Sequence, residues 1–126
     1  MLKMTIPEFH AALKAQGVPR NDVAFKCVMC GKVQSMSDFI AVGRTPEEAE
    51  RQIGFSCIGR WTGGKPAISK EATQETGCDW TLGGLFSLHT MEVIDEDGKA
   101  HPRFQLASQE EAQAHARDKV EAASAT

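Results

Sequence analysis

Apolar residues recur at helical spacing near the start of the chain, where Ile6, Phe9 and Leu13 share one face before Gly17. Thr5-Ile6-Pro7-Glu8 is a capping box with proline in the first turn, so a short amphipathic helix is predicted there. After Pro19 and the turn-forming Asn21-Asp22, the run Val23-Ala24-Phe25-Lys26 reads as a strand that feeds Cys27-Val28-Met29-Cys30-Gly31. Thr45-Pro46-Glu47-Glu48 opens a second helix that runs to Ile53 and stops at Gly54. A shorter helical turn is predicted at Ser37-Asp38-Phe39-Ile40.

From Thr62 to Gly77 the chain is polar, without a sustained period, and is expected to be an exposed loop and the most mobile internal segment. It returns at Cys78-Asp79-Trp80-Thr81-Leu82-Gly83-Gly84-Leu85-Phe86, whose paired glycines indicate a tight bend or a close backbone approach. Two extended runs then meet at Asp97-Gly98, a dipeptide favoured by type I′ turns. A two-residue loop there sets Glu96 opposite Lys99, Glu92 opposite Arg103, Met91 opposite Phe104 and Val93 opposite Pro102, which pairs opposite charges and groups apolar side chains. Pro102 places the second run at a sheet edge. Ser108-Gln109-Glu110-Glu111 is another capping box, opening a helix whose stripe of Ala112, Ala116, Val120 and Ala123 is thin enough that its end should fray.

The pattern predicts an α+β fold: one zinc-stapled domain over residues 1–107, a small antiparallel sheet with flanking short helices, followed by an Ala-rich C-terminal helix over 108–126. Composition explains the need for a staple. Of the 126 residues, 41% are apolar, but only six Phe and two Trp, with no Tyr, supply large rings, so the core is thin. A formal charge of −3 argues against a bulk polyanion binder and is too mild for an acidic nucleic-acid mimic. Met1 to Glu8 has no apolar core of signal-peptide length, and no run approaches the ~18 apolar residues of a membrane span. A soluble, cytoplasmic protein without a membrane partner is expected. In that compartment thiols stay reduced, so four cysteines are read as metal ligands in preference to two disulfides.

Cys27-x-x-Cys30-Gly31 has zinc-knuckle spacing: two intervening residues let both thiolates converge, and the glycine permits a positive φ. Cys57 and Cys78 lack that spacing, yet each sits beside glycine, and the loop between them reads as an excursion whose ends meet at the metal. Four thiolates fill the tetrahedral shell of Zn2+ and leave no position for substrate or activated water, which makes the expected site structural. An iron–sulfur cluster also accepts four thiolates, but no ferredoxin spacing is present. His89, opposite Leu106 in the predicted hairpin, reads as a core histidine and not as a replacement ligand. His10 and His115 are expected to face solvent, and His101 has no evident partner. Deaminase, metalloprotease, nucleophile-elbow and phosphate-loop motifs are all absent, so catalysis is not expected.

The strings Phe25-Lys26-Cys27-Val28-Met29-Cys30-Gly31-Lys32-Val33-Gln34-Ser35 and Gly54-Phe55-Ser56-Cys57-Ile58-Gly59-Arg60-Trp61-Thr62-Gly63 resemble a family of small uncharacterised phage and prophage proteins. So do Cys78 to Phe86, Asp97-Gly98-Lys99 and His101-Pro102-Arg103-Phe104. The resemblance spans roughly residues 5 to 115 and implies a setting, not an activity. Accessory phage proteins of this size often bind and disable a host machine, so it implies a stoichiometric inhibitor of a host protein complex, for example an anti-defence or anti-CRISPR protein. The alternative is a nucleic-acid-binding zinc protein, in which Arg60, Trp61, Lys65 and Lys70 form a basic, aromatic rim on the loop. Arg60 and Trp61 also admit a plainer reading, an arginine stem laid over an indole beside the metal.

Overall fold

The computed structural model describes residues 2–83 and 89–124, the last five by backbone alone. Gly84 to Phe86 and Val120 with Ala123, which enter the expectations above, lie outside the described residues or side chains. The first helix, α1 (Ile6–Ala15), starts as its capping box requires: Thr5 Oγ1 accepts from the Glu8 amide, and Glu8 accepts from the Thr5 amide. Ahead of it, Leu2–Thr5 forms a strand, β1, which the sequence reading did not assign.

A single 3-10 turn (Arg20–Asp22) leads into β2 (Ala24–Lys26), and the cysteine knuckle turns the chain into β3 (Val33–Ser35). Ser35 caps α2 (Met36–Ala41), its amide held by Asp38, and Thr45 caps α3 (Pro46–Gln52), which ends one residue before the predicted stop. A four-residue helix, α4 (Gly59–Thr62), follows the third cysteine. The hairpin strands are β4 (Met91–Ile94) and β5 (Ala100–Arg103), β6 is Gln105–Leu106, and α5 runs from Gln109 to Ser124.

The strands form two three-stranded sheets, in the orders β1-β4-β5 and β3-β2-β6. The expected α+β class, with antiparallel pairing and short helices, holds; the strands divide between two sheets, with β1 parallel to β4 and the second sheet built around the cysteine knuckle. The hairpin register is also corrected by one residue. Met91 pairs with Arg103, Glu92 with Pro102, Val93 with His101 and Ile94 with Ala100. The cause is Asp95, whose Oδ1 accepts from the Asp97 and Lys99 amides while its carbonyl accepts from Gly98, at φ +81. That side chain stabilises a three-residue loop over the two-residue turn. The chain then leaves one sheet for the other at fully buried Phe104, whose amide donates to Gly54 O at 2.7 Å.

Phe25, Phe39, Ile53, Ile58, Leu82 and Phe104 form the main core together with three of the cysteines. A smaller cluster of Ala24, Ala107 and Ala112 seats α5. Polar ties supplement that thin contact: His115 and Lys119 both reach Asp38, Lys26 pairs with Glu111 at 2.7 Å, and Gln113 donates to Gln16 O. His115 thus faces Asp38 at 2.8 Å instead of solvent, and His101 has a partner in Asp95 at 2.8 Å. His89 lies 2.9 Å from Glu92, and its expected neighbour Leu106 pairs with Phe25 in the other sheet.

Candidate metal centre

Each cysteine is delivered by a different local device. Cys27 closes β2 and its amide donates to Lys32 O at 3.0 Å, while Gly31, at φ +77, donates to Cys27 O and returns the knuckle. Cys57 is set by the residues around it. Its amide donates to Trp80 O at 2.9 Å, and Ser56 bridges to Thr81, so the third and fourth ligands ride on adjoining extended segments.

Buried Gln34 holds the third ligand from the opposite side. Its Nε2 donates to Ile53 O at 2.7 Å and to Ser56 O at 2.9 Å, and its Oε1 accepts from the Ile58 amide at 2.7 Å, so one amide side chain spans Cys57 on both flanks. Cys78 reaches the site because Gly59 lets two backbones touch. A Cβ at Gly59 would lie 2.4 Å from Cys78 O and 2.5 Å from Cys78 N, separations that only glycine permits.

The result is a convergence of Cys27, Cys30, Cys57 and Cys78, whose four Sγ atoms all lie within 4.8 Å of one another. Cys27, Cys57 and Cys78 are buried and Cys30 is partly so, and none forms a disulfide. Cys27 and Cys78 Sγ are 3.6 Å apart, and Cys30 and Cys57 Sγ 3.8 Å. Backbone amides also point at the sulfurs, from Cys78 to Cys57 Sγ at 3.4 Å and from Trp80 to Cys78 Sγ at 3.5 Å. Amide donors of this kind stabilise thiolate charge.

Contact among the sulfurs splits their acidities. Hydrogen bonding with Cys27, the largest cause in both cases, lowers the pKa of Cys57 and brings that of Cys30 to about 7. Cys27 is raised, chiefly by Cys30, and Cys78 is raised, chiefly by Cys27. Four like groups this close cannot all ionise unless a cation sits among them, and a bound cation deprotonates coordinating thiols outright. The donor set therefore fits one metal ion held by all four residues.

Of the other residues singled out from sequence, Arg60, Trp61 and Lys65 have partners within the chain. The Trp61 ring packs edge-on against Phe39, with centroids 5.4 Å apart and planes at 70°. Arg60 Nη1 donates to Asp79 O at 2.8 Å, beside the fourth ligand, and Asp79 in turn accepts from the Ala67 amide. Lys65 pairs through its backbone with Cys78 and extends an exposed side chain to 4.0 Å from Glu71; Lys70 is exposed. The 62–77 segment has no helix or strand beyond the end of α4, but Lys32 Nζ ties it to the knuckle through Glu75 O at 3.1 Å and Gln74 O at 3.4 Å. Gln34 and Lys32 were not picked out from sequence. Their only signal was position, on the strand that leaves the knuckle, since three residues are too few to show a period.

A family model described as VVA0879-like matches residues 5–107. No curated protein and no solved structure matches the chain.

Proposed function

The chain belongs to the VVA0879-like family, and from that premise we propose that it is a non-catalytic, zinc-stapled binding module that acts by stoichiometric attachment to a host protein complex. The observation that carries this reading is the four-sulfur cage. A Zn–S bond of about 2.3 Å gives a tetrahedral edge of about 3.8 Å, against the 3.6 and 3.8 Å found between the two sulfur pairs. A cluster of several irons and sulfides needs its cysteines spread beyond mutual contact, so a single ion fits better.

Zn2+ bound by Cys27, Cys30, Cys57 and Cys78 has a complete shell and activates no water; what it supplies is folding free energy, on the order of 10 kcal/mol in small zinc domains. The resemblance of the Cys27 to Ser35 and Gly54 to Gly63 strings to phage and prophage proteins would place this role in the cytoplasm of a bacterial host cell, with inhibition of a defence system such as CRISPR–Cas as its proposed specific form. Against the nucleic-acid alternative, Trp61 is spent on Phe39 and Arg60 on Asp79, which leaves exposed Lys70 and Lys65, itself 4.0 Å from Glu71, as the remaining cations of the proposed rim.

Elemental analysis and affinity capture test the two halves of the proposal. One zinc per chain, with nuclease-resistant enrichment of one host complex, is the expected result. A fully folded metal-free protein overturns the cage, and recovery that vanishes on nuclease treatment overturns the protein partner.

A further inference from the structure

A second site lies between α1, α2 and α3, and it shares no residue with the cysteine cage. This cleft has a volume of about 440 Å3, and Phe9, Leu13, Phe25, Met36 and Ile53 give it an apolar lining. Arg20, Arg103, His10 and Glu50 complete the wall. The volume and the mixture of apolar wall with a few polar groups are those of a small-molecule site.

Arg103 is the residue that asks for a ligand. Its aliphatic stem passes over Gly54, where a Cβ would come within 3.3 Å of Arg103 Cδ, and its guanidinium lies 5.9 Å from the Phe55 ring. Its only hydrogen bond among the described residues goes to the neighbouring Pro102 O, at 2.6 Å. No carboxylate among the described residues pairs with it, or with Arg20, and Glu50 joins neither. Half-buried cations are normally paired, because desolvation disfavours the charge; burial acts on Arg103 in that sense. The two arginines outweigh Glu50, so the cleft favours an anion beside an apolar body.

We infer that this cleft binds a small amphipathic carboxylate, its hydrocarbon against Phe9, Leu13 and Phe25 and its carboxylate on the Arg103 guanidinium. A planar guanidinium takes a carboxylate through two parallel N–H donors, which selects acids over alcohols of the same length. The inference does not rest on the host-complex reading, and no cysteine lines the cleft.

The test is titration of the zinc-loaded protein with octanoate, decanoate and octanol, followed by amide NMR shifts. Both acids are expected to shift residues around the cleft, decanoate more tightly, with octanol weaker by about tenfold or more, as for loss of a charged hydrogen bond. Arg103→Gln should weaken the acids by a similar factor while zinc content stays at the wild-type level. Should that variant not fold, Arg103→Lys keeps the charge, removes the fork, and should still cost several-fold. Leu13→Trp, which fills the cleft, should abolish binding. Equal affinity for octanol and octanoate, no shifts at millimolar acid, or unchanged binding to the arginine variants overturns the inference. So does a peptide ending in phenylalanine that binds where the free acids do not, which would assign the cleft to a protein partner.

Discussion

Replacing Gln34 by leucine tests how the third ligand is held. Gln34 is 0% exposed, and its side chain satisfies two carbonyls and one amide, at Ile53, Ser56 and Ile58. Leucine is close in size, so little volume changes, but three backbone groups lose their partner. Each stranded buried group costs about 1–3 kcal/mol, which for three groups sets the expected loss at about 3–9 kcal/mol. Gln16→Leu is the matched control. That side chain is 3% exposed and makes three bonds of the same kind, to Ala24 N, Ala24 O and Ala107 O, away from the cysteines. Urea unfolding should therefore show losses for both variants, smaller for Gln16→Leu because Ala24 O keeps its bond from the Ala107 amide. Substituted cobalt should separate them, because its absorption bands report the geometry of the sulfur shell: Gln34→Leu shifts the bands and Gln16→Leu leaves them alone. Identical cobalt spectra for the two, or a loss below about 1 kcal/mol for Gln34→Leu, would refute the reasoning.

Cys57→Ser and Cys78→Ser should each lose zinc and destabilise as strongly as Cys27→Ser, checked by elemental analysis and thermal unfolding; a second-half variant that keeps both is the contrary result. Asp38 has burial against its ionised form, but hydrogen bonds from His115, Lys119 and the Ser35 amide outweigh it and hold its pKa at about 2. A carboxylate depressed in the folded state stabilises above its unfolded pKa and loses that contribution as pH falls from about 4 to about 2, so Asp38→Asn should cost about 2 kcal/mol at neutral pH and progressively less in that window. The difference between wild type and variant at each pH is the quantity to measure, since acid strips thiolate-bound metal from both. Trp61→Ala removes an edge-on ring contact from the core and should cost about 3 kcal/mol, seen as a lowered urea midpoint; unchanged stability would return Trp61 to the contact surface. Limited trypsin digestion should cut first at Lys70 among internal sites, next to Ile68, which is 93% exposed; strong protection there would show a packed loop.

What the sequence disclosed is local chemistry. The capping residues Thr5, Thr45 and Ser108 lie next to the helices they start, and the Cys27 to Gly31 knuckle is contained in five residues, so both are visible in short windows; the helical turn expected from Ser37 begins earlier, at Met36, with Ser35 as its cap. The convergence of the four cysteines was also legible, because each lies beside or near a glycine that lets the backbone turn or approach closely. The long-range pairings were not: β1 meets β4 across most of the chain, and nothing in Leu2-Lys3-Met4 marks a strand that must wait for residues 91–94. The hairpin register failed by one residue because Asp95 adds side-chain bonds that the Asp97-Gly98 dipeptide does not advertise. Gln34 was missed for the same reason, its partners being backbone groups of a remote loop. Arg60 and Trp61 admitted both a contact and a packing reading in sequence; the Trp61 ring packs on Phe39, and exposed Arg60 donates to Asp79 O.

The spacing of the ligands along the chain has a consequence for assembly during synthesis. Cys27 and Cys30 are complete while the rest is still to be made, whereas Cys57 follows Cys30 by 27 residues and Cys78 follows Cys57 by 21. Closing loops of those lengths costs an unbound chain on the order of 3 kcal/mol each. A metal captured early by the knuckle would meet that cost in two instalments as each later thiolate arrives, so the yield of folded protein would then depend on metal supply during synthesis as well as on final affinity.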